Sequence, residues 1–438
     1  MKVDLSPSLN DKELEFIAKH MIPIHVHQSD IPYSVLVAFP KALKDESFRR
    51  KLTKLYRLGH DKNYAYVYLM KNDKATMITR IQAISYDFNA KFVKMRLAND
   101  MTVYLASSDI KDIDEFLSAI KDYVQLTVYV DKVRHGKFET RIVRVDSIKP
   151  LTAHLDDNAH IIYEGVDDIF STLVIGFGLN PEPLVNRYML ARIVGLFKVD
   201  GLPIYVCQFT PRETGKTTFA VRLLTLMNFD YLTEVPTLAR LVFDSRFRSY
   251  GIIYFRDGIV LDEFDKYGKF YDRFQQLIST LLTGMEQGLW GRGISGVQPI
   301  QKYVNIIIFG NYERTLVSIT SAREYFNTYY ASMFRIDVTQ LESRINVIEV
   351  LPFRWRAYDS VLGYVMKDSV LRTLIKIIEN TANKVSREER SSLHGRYKRH
   401  AERIYKVMKA LRIDVSIDIV DEWVRSGRLP IDNQLPKV

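Results

Sequence analysis

The chain has 438 residues, 47% of them apolar, a formal charge of +10 and one cysteine. That length calls for two or three domains, the apolar fraction excludes a disordered chain, and lone Cys207 excludes a disulfide framework or a cysteine zinc ribbon. The basic balance points to an anionic partner, nucleic acid first; a basic protein without such a partner is the plain alternative. The opening "MKVDLSPSLNDKELEF" is too polar for a signal peptide, and no apolar run of about 18 residues occurs. A cytoplasmic protein with no membrane segment is therefore expected, in a prokaryotic or infected host cell.

Residues 1–155 read as a β-rich domain after a helical start. "YAYVYLM", "ATMITRIQAISY", "FVKMRL" and "MTVYLAS" have strand composition, "DIDEFLSAIKDYV" has helical spacing, and "LTVYVDKVRHGKFETRIVRV" reads as a hairpin turning at His135–Gly136. Short strands plus one helix suit a small barrel of the oligonucleotide-binding type. The hairpin carries Lys132, Arg134, Lys137, Arg141 and Arg144; Arg134 and Lys137 near its tip are candidate DNA contacts, although edge strands also favour such charges. His20, His25 and His27 in "HMIPIHVH" lack a further ligand cluster and read as strand histidines.

From 156 to 350 strands alternate with helices, an α/β pattern. "LVNRYMLARIVGLF" reads as a helix, "GLPIYVCQF" as a buried strand holding Cys207, and "GKTTFAVRLLTLM" as a helix starting at "TPRETGKTT", residues 210–218. In a phosphate loop, backbone N–H groups and a helix N-terminus surround the phosphates, a lysine reaches the β/γ oxygens, and the next hydroxyl ligates Mg²⁺. Thr214, Gly215, Lys216, Thr217 and Thr218 supply those parts, but Thr210, Arg212 and Glu213 stand where small residues are usual, so weakened ATP affinity is expected. "GIVLDEFDK" then ends an apolar strand on Asp262, a Mg²⁺-shell acid, and Glu263, which can orient the attacking water. "NIIIFGN" ends another strand on Asn311. An acidic pair also suits a helix N-cap and an Asn a turn; the three strand ends together favour an ATPase. The segment 351–438 reads as helical and basic. Its "GRYKRHAERIYKVMKAL" puts Tyr397, Ala401, Ile404, Met408 and Leu411 on one face and Arg396, Arg399, Arg403 and Lys406 on another.

These motifs together resemble the AAA+ core of the minichromosome maintenance (MCM) helicases, over roughly residues 165–425. "GIVLDEFDK" is close to that family's Walker B string. "MEQGLWGRGISGV" is similar to its Met-Glu-Gln segment and pre-sensor hairpin, and "LESRINVIEV" to its Leu-Ser-Arg-Phe-Asp segment. "RYKRHAERIYKVMKALRIDVSIDIVDEWV" is similar to its helical lid. The resemblance implies an α/β P-loop ATPase core with a helical C-terminal lid. It also implies ATP and Mg²⁺ as cofactors and a homo-oligomeric ring, a hexamer, around DNA. Lys216, Thr217, Asp262, Glu263 and the sensor Asn311 would act from one subunit, with Arg344 as arginine finger and Arg396 as second sensor from its neighbour. Arg292, and more weakly Lys302, would meet the DNA phosphates. Two rival readings remain: a ring protein deficient in ATP hydrolysis, and a viral superfamily 3 replication helicase. The short Walker A to Walker B span suggests a divergent relative, from a virus or plasmid.

Overall fold

The computed structural model describes residues 2–431 except 24–30, 32–34, 37, 40, 86–90, 113–114, 117–118, 121, 136–137, 152–155, 246–248, 265, 268–270, 292–298, 313–320, 335–337, 353–361 and 387–388. Helix α1 (Asp11–Lys19) starts on a capping box in which Asn10 and Glu13 each satisfy the other's backbone N–H. It is followed by the short strand β1 (Ile22–Pro23) and by α2 (Glu46–His60) and α3 (Lys62–Asn72). The strand expected at "YAYVYLM" is thus helix α3. Asp61 caps it by accepting from Tyr64 N–H, Ala65 and Leu69 are buried one turn apart, and Asp73 ends it in the left-handed region. Aromatic composition suggested a strand there, and the cap and the i, i+4 burial outweigh it.

Strands β2 (Lys74–Ser85), β3 (Phe92–Leu97), β4 (Thr102–Ala106), β5 (Tyr123–His135) and β6 (Phe138–Pro150) follow. Alternation buries Val93, Met95 and Leu97 on β3 and Val103 and Leu105 on β4. The sheet runs β2-β3-β4-β6-β5, and β5 pairs back with β2, closing it; β4 and β6 are parallel. Between β4 and β5, backbone bonds from Phe116 to Asp112 and from Ile120 to Phe116 have helical spacing.

Helix α4 (Pro183–Val194) leads into β7 (Val206–Thr210), α5 (Lys216–Leu226) and β8 (Phe229–Leu232). The small hairpin β9 (Phe243–Asp244) and β10 (Ser249–Tyr250) joins the closed sheet through Ser249 and Ser85. Then come β11 (Gly258–Leu261), α6 (Tyr271–Gln287), β12 (Leu289–Trp290), β13 (Ile300–Gln301), β14 (Asn305–Asn311), α7 (Ala322–Phe334) and β15 (Val347–Val350). Five strands form one parallel sheet in the order β8-β11-β14-β7-β15. β7, β11 and β15 are buried along their whole lengths and β14 up to Asn311, as strands covered on both faces must be, so Val, Ile and Leu runs replace alternation.

The chain ends in β16 (Tyr364–Val365) and helices α8 (Asp368–Lys384), α9 (Gly395–Ala410) and α10 (Ile417–Ser426). On α9 the buried side includes Ala401, Ile404 and Met408, as the helical spacing requires. β1 pairs with β16, and Val3 N–H donates to Pro430 O at 2.8 Å, so both ends of the chain pack on one core with these helices. Among the described residues no helix is long and apolar enough to cross a membrane.

Candidate nucleotide site and a separate arginine cleft

The parallel register brings the chemistry to one sheet edge. Asn311 lies level with Thr210, and Leu261, the residue before Asp262, lies level with Ile308. Strand ends on the carboxyl side of such a sheet are where ligands bind. Thr217 Oγ1 donates to Asp262 Oδ2 at 3.4 Å, and Tyr231 OH donates to the same oxygen at 2.7 Å. Lys216 Nζ donates to the carbonyls of Thr210 (3.0 Å), Pro211 (3.3 Å) and Gly310 (3.4 Å) and to Asn311 Oδ1 (3.3 Å). Glu263 follows Asp262 with φ +51° and pairs with Lys266. Lys216 with Asn311, and Thr217 with Asp262, therefore form two hydrogen-bonded pairs at one sheet edge, and Glu263 adjoins the second.

The loop itself accounts for its missing glycines. Thr210 is fully buried and its hydroxyl meets that of Thr214 at 2.9 Å, so a side-chain brace stands where a glycine is usual. Glu213 holds φ +68° and Gly215 φ +76°. Glycine takes this left-handed region freely; for glutamate it is strained. Thr214, Gly215 and Thr218 line a shallow pocket with Phe177, Tyr188 and Met189. A larger cleft of about 710 Å³, between β2–β4 and residues 237–256, contains none of these groups.

Three features that support this site escaped the motif reading. Tyr231 braces Asp262 from the neighbouring strand β8, and its hydroxyl is pushed up to about 12, by burial first and by the acids beside it. Arg192 of α4 is 2% exposed; its Nε donates to Gln208 Oε1 at 2.8 Å and its guanidinium reaches Thr214 O at 3.5 Å. Burial lowers its pKa to about 10, so it stays charged at neutral pH. Gln208 in turn donates to Glu349, whose carboxyl burial raises to about 7 against the pull of Gln208, Arg187 and Arg192. At the far end of α5, Arg80 of β2 donates to Leu224 O at 3.0 Å and Arg372 of α8 donates to Leu226 O. Cations belong at a helix C-terminus, where free carbonyls carry the negative end of the dipole. Buried polar side chains inside apolar runs were the sequence signal: Gln208 in "YVCQF" and Arg192 in "MLARIV".

Arg344 and Arg396 lie together elsewhere. Both donate to Glu286 near the end of α6, Arg344 to Oε2 and Arg396 to Oε1 at 2.8 Å. Arg344 also donates to Gln340 O at 2.8 Å and Arg396 to Ser343 Oγ at 3.3 Å. With Arg399, His400 and Arg403 they line a cleft of about 190 Å³ that none of residues 210–218 enters. Burial first, and the surrounding arginines, hold His400 well below its ordinary pKa, so it is neutral there.

Of the DNA candidates, Arg292 and Lys137 lie outside the described residues, and Arg134 sits on β5 near the hairpin tip. Lys302 turns inward: its amine donates to Arg256 O at 2.6 Å and Tyr254 O at 3.3 Å, and lies 3.6 Å from Asp257. Arg144 pairs with Asp131 at 2.6 Å and stacks on Phe92. His20 caps α1 beside Asn158 and is not a strand residue; His25 and His27 lie outside the described residues. Among the described residues no cluster of three His, Cys, Asp or Glu could hold a metal.

Sheet order and strand-edge group define an α/β domain that carries these polar groups at the carboxyl ends of a parallel sheet. Residues 144–349 match the family model described as "Lon-like protease BrxL-like, ATPase domain". The chain is 27% identical over 396 residues to an uncharacterised protein of Acidianus filamentous virus 1, spanning 84% of this chain and 90% of that one. It is 32% identical over 273 residues to one of Acidianus filamentous virus 2 (60% and 62% of the two chains). A third relative, from Sulfolobus islandicus rod-shaped virus 1, is 26% identical over 392 residues, covering 85% and 86%. Among solved structures the fold is similar to a full-length MCM homolog from Methanopyrus kandleri, with a TM-score of 0.48 and 12% identity over 80% of this chain and 76% of that one.

Proposed function

We propose that the chain is a subunit of a ring-forming motor that hydrolyses ATP to move along or unwind DNA during replication of a viral genome in an infected cell. The observation that carries this reading is the division of phosphate-binding groups: Lys216, Thr217, Asp262 and Asn311 share one sheet edge, while Arg344 and Arg396 line a different cleft. A pair of arginines held apart from the loop of its own chain suits a site completed between subunits, which couples assembly to hydrolysis.

In this reading Lys216 exchanges its carbonyl partners for β- and γ-phosphate oxygens, while the loop N–H groups at the start of α5 face the chain of phosphates. Thr217 and Asp262, two hard oxygen donors already paired, would hold a Mg²⁺ ion that neutralises phosphate charge. Glu263, released from Lys266, takes the proton of the attacking water, and Asn311 orients that water. The pocket beside Thr214 and Thr218 takes the nucleoside end. In this reading the closed sheet, ordered β2-β3-β4-β6-β5 and back to β2, serves as an oligonucleotide-binding barrel. Arg134 and Lys137 on its hairpin, and Arg292 beyond β12, meet DNA phosphates without reading sequence, so binding weakens with salt. Helices α8–α10 act as the lid, and six copies close the ring. The domain limits are those of the sequence reading, 1–155, 156–350 and 351–438.

Steady-state ATP hydrolysis by the wild type, Lys216→Ala and Glu263→Gln, with and without single-stranded DNA, tests this. Hydrolysis stimulated by DNA in the wild type and lost in both variants is expected; equal background rates in all three would sink it. Displacement of a labelled strand from a forked duplex separates unwinding from hydrolysis alone.

A further inference from the structure

The arginine cleft holds four guanidinium groups, Arg344, Arg396, Arg399 and Arg403, with neutral His400 between them. Glu286 is the carboxylate that enters it, and each of its oxygens takes one of the two proposed trans arginines. Those arginines hold its carboxyl below the ordinary range. Four positive charges against Glu286, with Asp200 also acting on Arg403, still leave the cleft with a net positive charge. A phosphate, with more charge and more acceptor oxygens, answers it better than a carboxylate does.

The setting of Glu286 makes it displaceable. It is the penultimate residue of α6, where the exposed carbonyls disfavour a negative charge, so the arginines alone reward its position. Its side chain is 43% exposed, whereas that of Arg344 is 15% exposed and fixed by Gln340 O. Arg344 is thus held in place, while Arg396, at 37%, is nearly as exposed as the anion. Glu286 also stands just before β12, which opens the segment carrying Arg292.

We propose that Glu286 is an internal stand-in for phosphate, closing the arginine seat of a lone subunit until the terminal phosphate of a nucleoside triphosphate on a second copy of the chain displaces it. This rests on the shared-site reading above. Its consequence is that a free subunit keeps Arg344 and Arg396 occupied by Glu286 until a loaded neighbour arrives.

Two measurements on the full chain test it. In the first, ATP hydrolysis per subunit is followed against protein concentration. Glu286→Gln should reach its half-maximal rate at about a tenfold lower concentration than wild type, the equivalent of about 1.4 kcal/mol of competition removed, and Glu286→Asp should fall between them. A half-maximal concentration that stays put or rises, at an unchanged melting temperature, would overturn the proposal and make Glu286 a mere support for the arginines. In the second, calorimetry follows inorganic pyrophosphate binding in a Lys216→Ala background. Adding Glu286→Gln should strengthen binding, and adding Arg344→Ala should abolish the gain; no gain overturns the seat. If the wild type hydrolyses nothing at any concentration, the motor reading fails separately, and the pyrophosphate result still decides on the seat.

Discussion

The strand-edge site and the arginine cleft both hold cations against oxygen acceptors, and the chain builds them differently. Lys216 points at main-chain and amide oxygens at the ends of β7 and β14, where the parallel register sets its surroundings. Arg344 and Arg396 come from separate segments and meet only through side chains, on a carboxylate contributed by a third. The first arrangement cannot shift without breaking the sheet. The second can open by moving one exposed glutamate. In the proposed motor, the rigid half-site would keep the nucleotide while the switchable half-site would report the neighbour.

The sharpest way to break the comparison is to disable each half in turn. Arg344→Ala and Lys216→Ala should each lower ATP hydrolysis by about three orders of magnitude. Mixing the two variants should restore a measurable fraction, because some interfaces then pair an intact loop with an intact arginine. If mixing restores nothing, the two halves do not serve one site.

A smaller effect probes the rigidity assigned to the strand edge. Glu349 carries a pKa near 7 in the fold against 4.5 for the free side chain, so the folded chain holds that proton more tightly. The resulting stability is complete below about pH 4.5 and is lost as pH rises through about 7, a change of about 3 kcal/mol. Glu349→Gln should remove this contribution. The melting temperature of the variant relative to wild type should therefore climb between pH 5 and pH 8. A difference that does not change with pH would mean that Glu349 ionises freely and that the Arg192–Gln208–Glu349 group does not brace the loop.

The smallest effect concerns the loop. Glu213→Gly should relieve about 1 kcal/mol of strain at φ +68°, partly offset by the freedom glycine adds to the unfolded chain. Because the change also removes a carboxylate from beside the triphosphate, nucleotide should bind about fivefold more tightly, read by calorimetry. Unchanged or weaker binding would show that the glutamate side chain, with its own contacts, is worth more to the loop than the strain costs.

Much of the strand-edge site was legible because its residues follow apolar runs: Lys216 after β7, Asp262 after β11, Asn311 at the end of β14. A buried parallel strand announces itself by composition, and its last residue falls at the ligand edge. Tyr231 and Arg192 were not legible in this way. Tyr231 matters through its register beside Val260, and Arg192 through a helix packed beneath the loop. The helix at "YAYVYLM" was misread because tyrosine and valine suit strands, whereas the deciding signals were the Asp61 cap and contacts made only after folding.

The sequence by itself determined which chemical groups the protein owns and the order in which strands present them, because covalent spacing and apolar patterning are local properties. Which strands lie side by side, whether the β2–β6 sheet closes, and that one glutamate holds both arginines were decided by the tertiary structure. Those relations join residues such as Glu286, Arg344 and Arg396, whose separation along the chain carries no local signal.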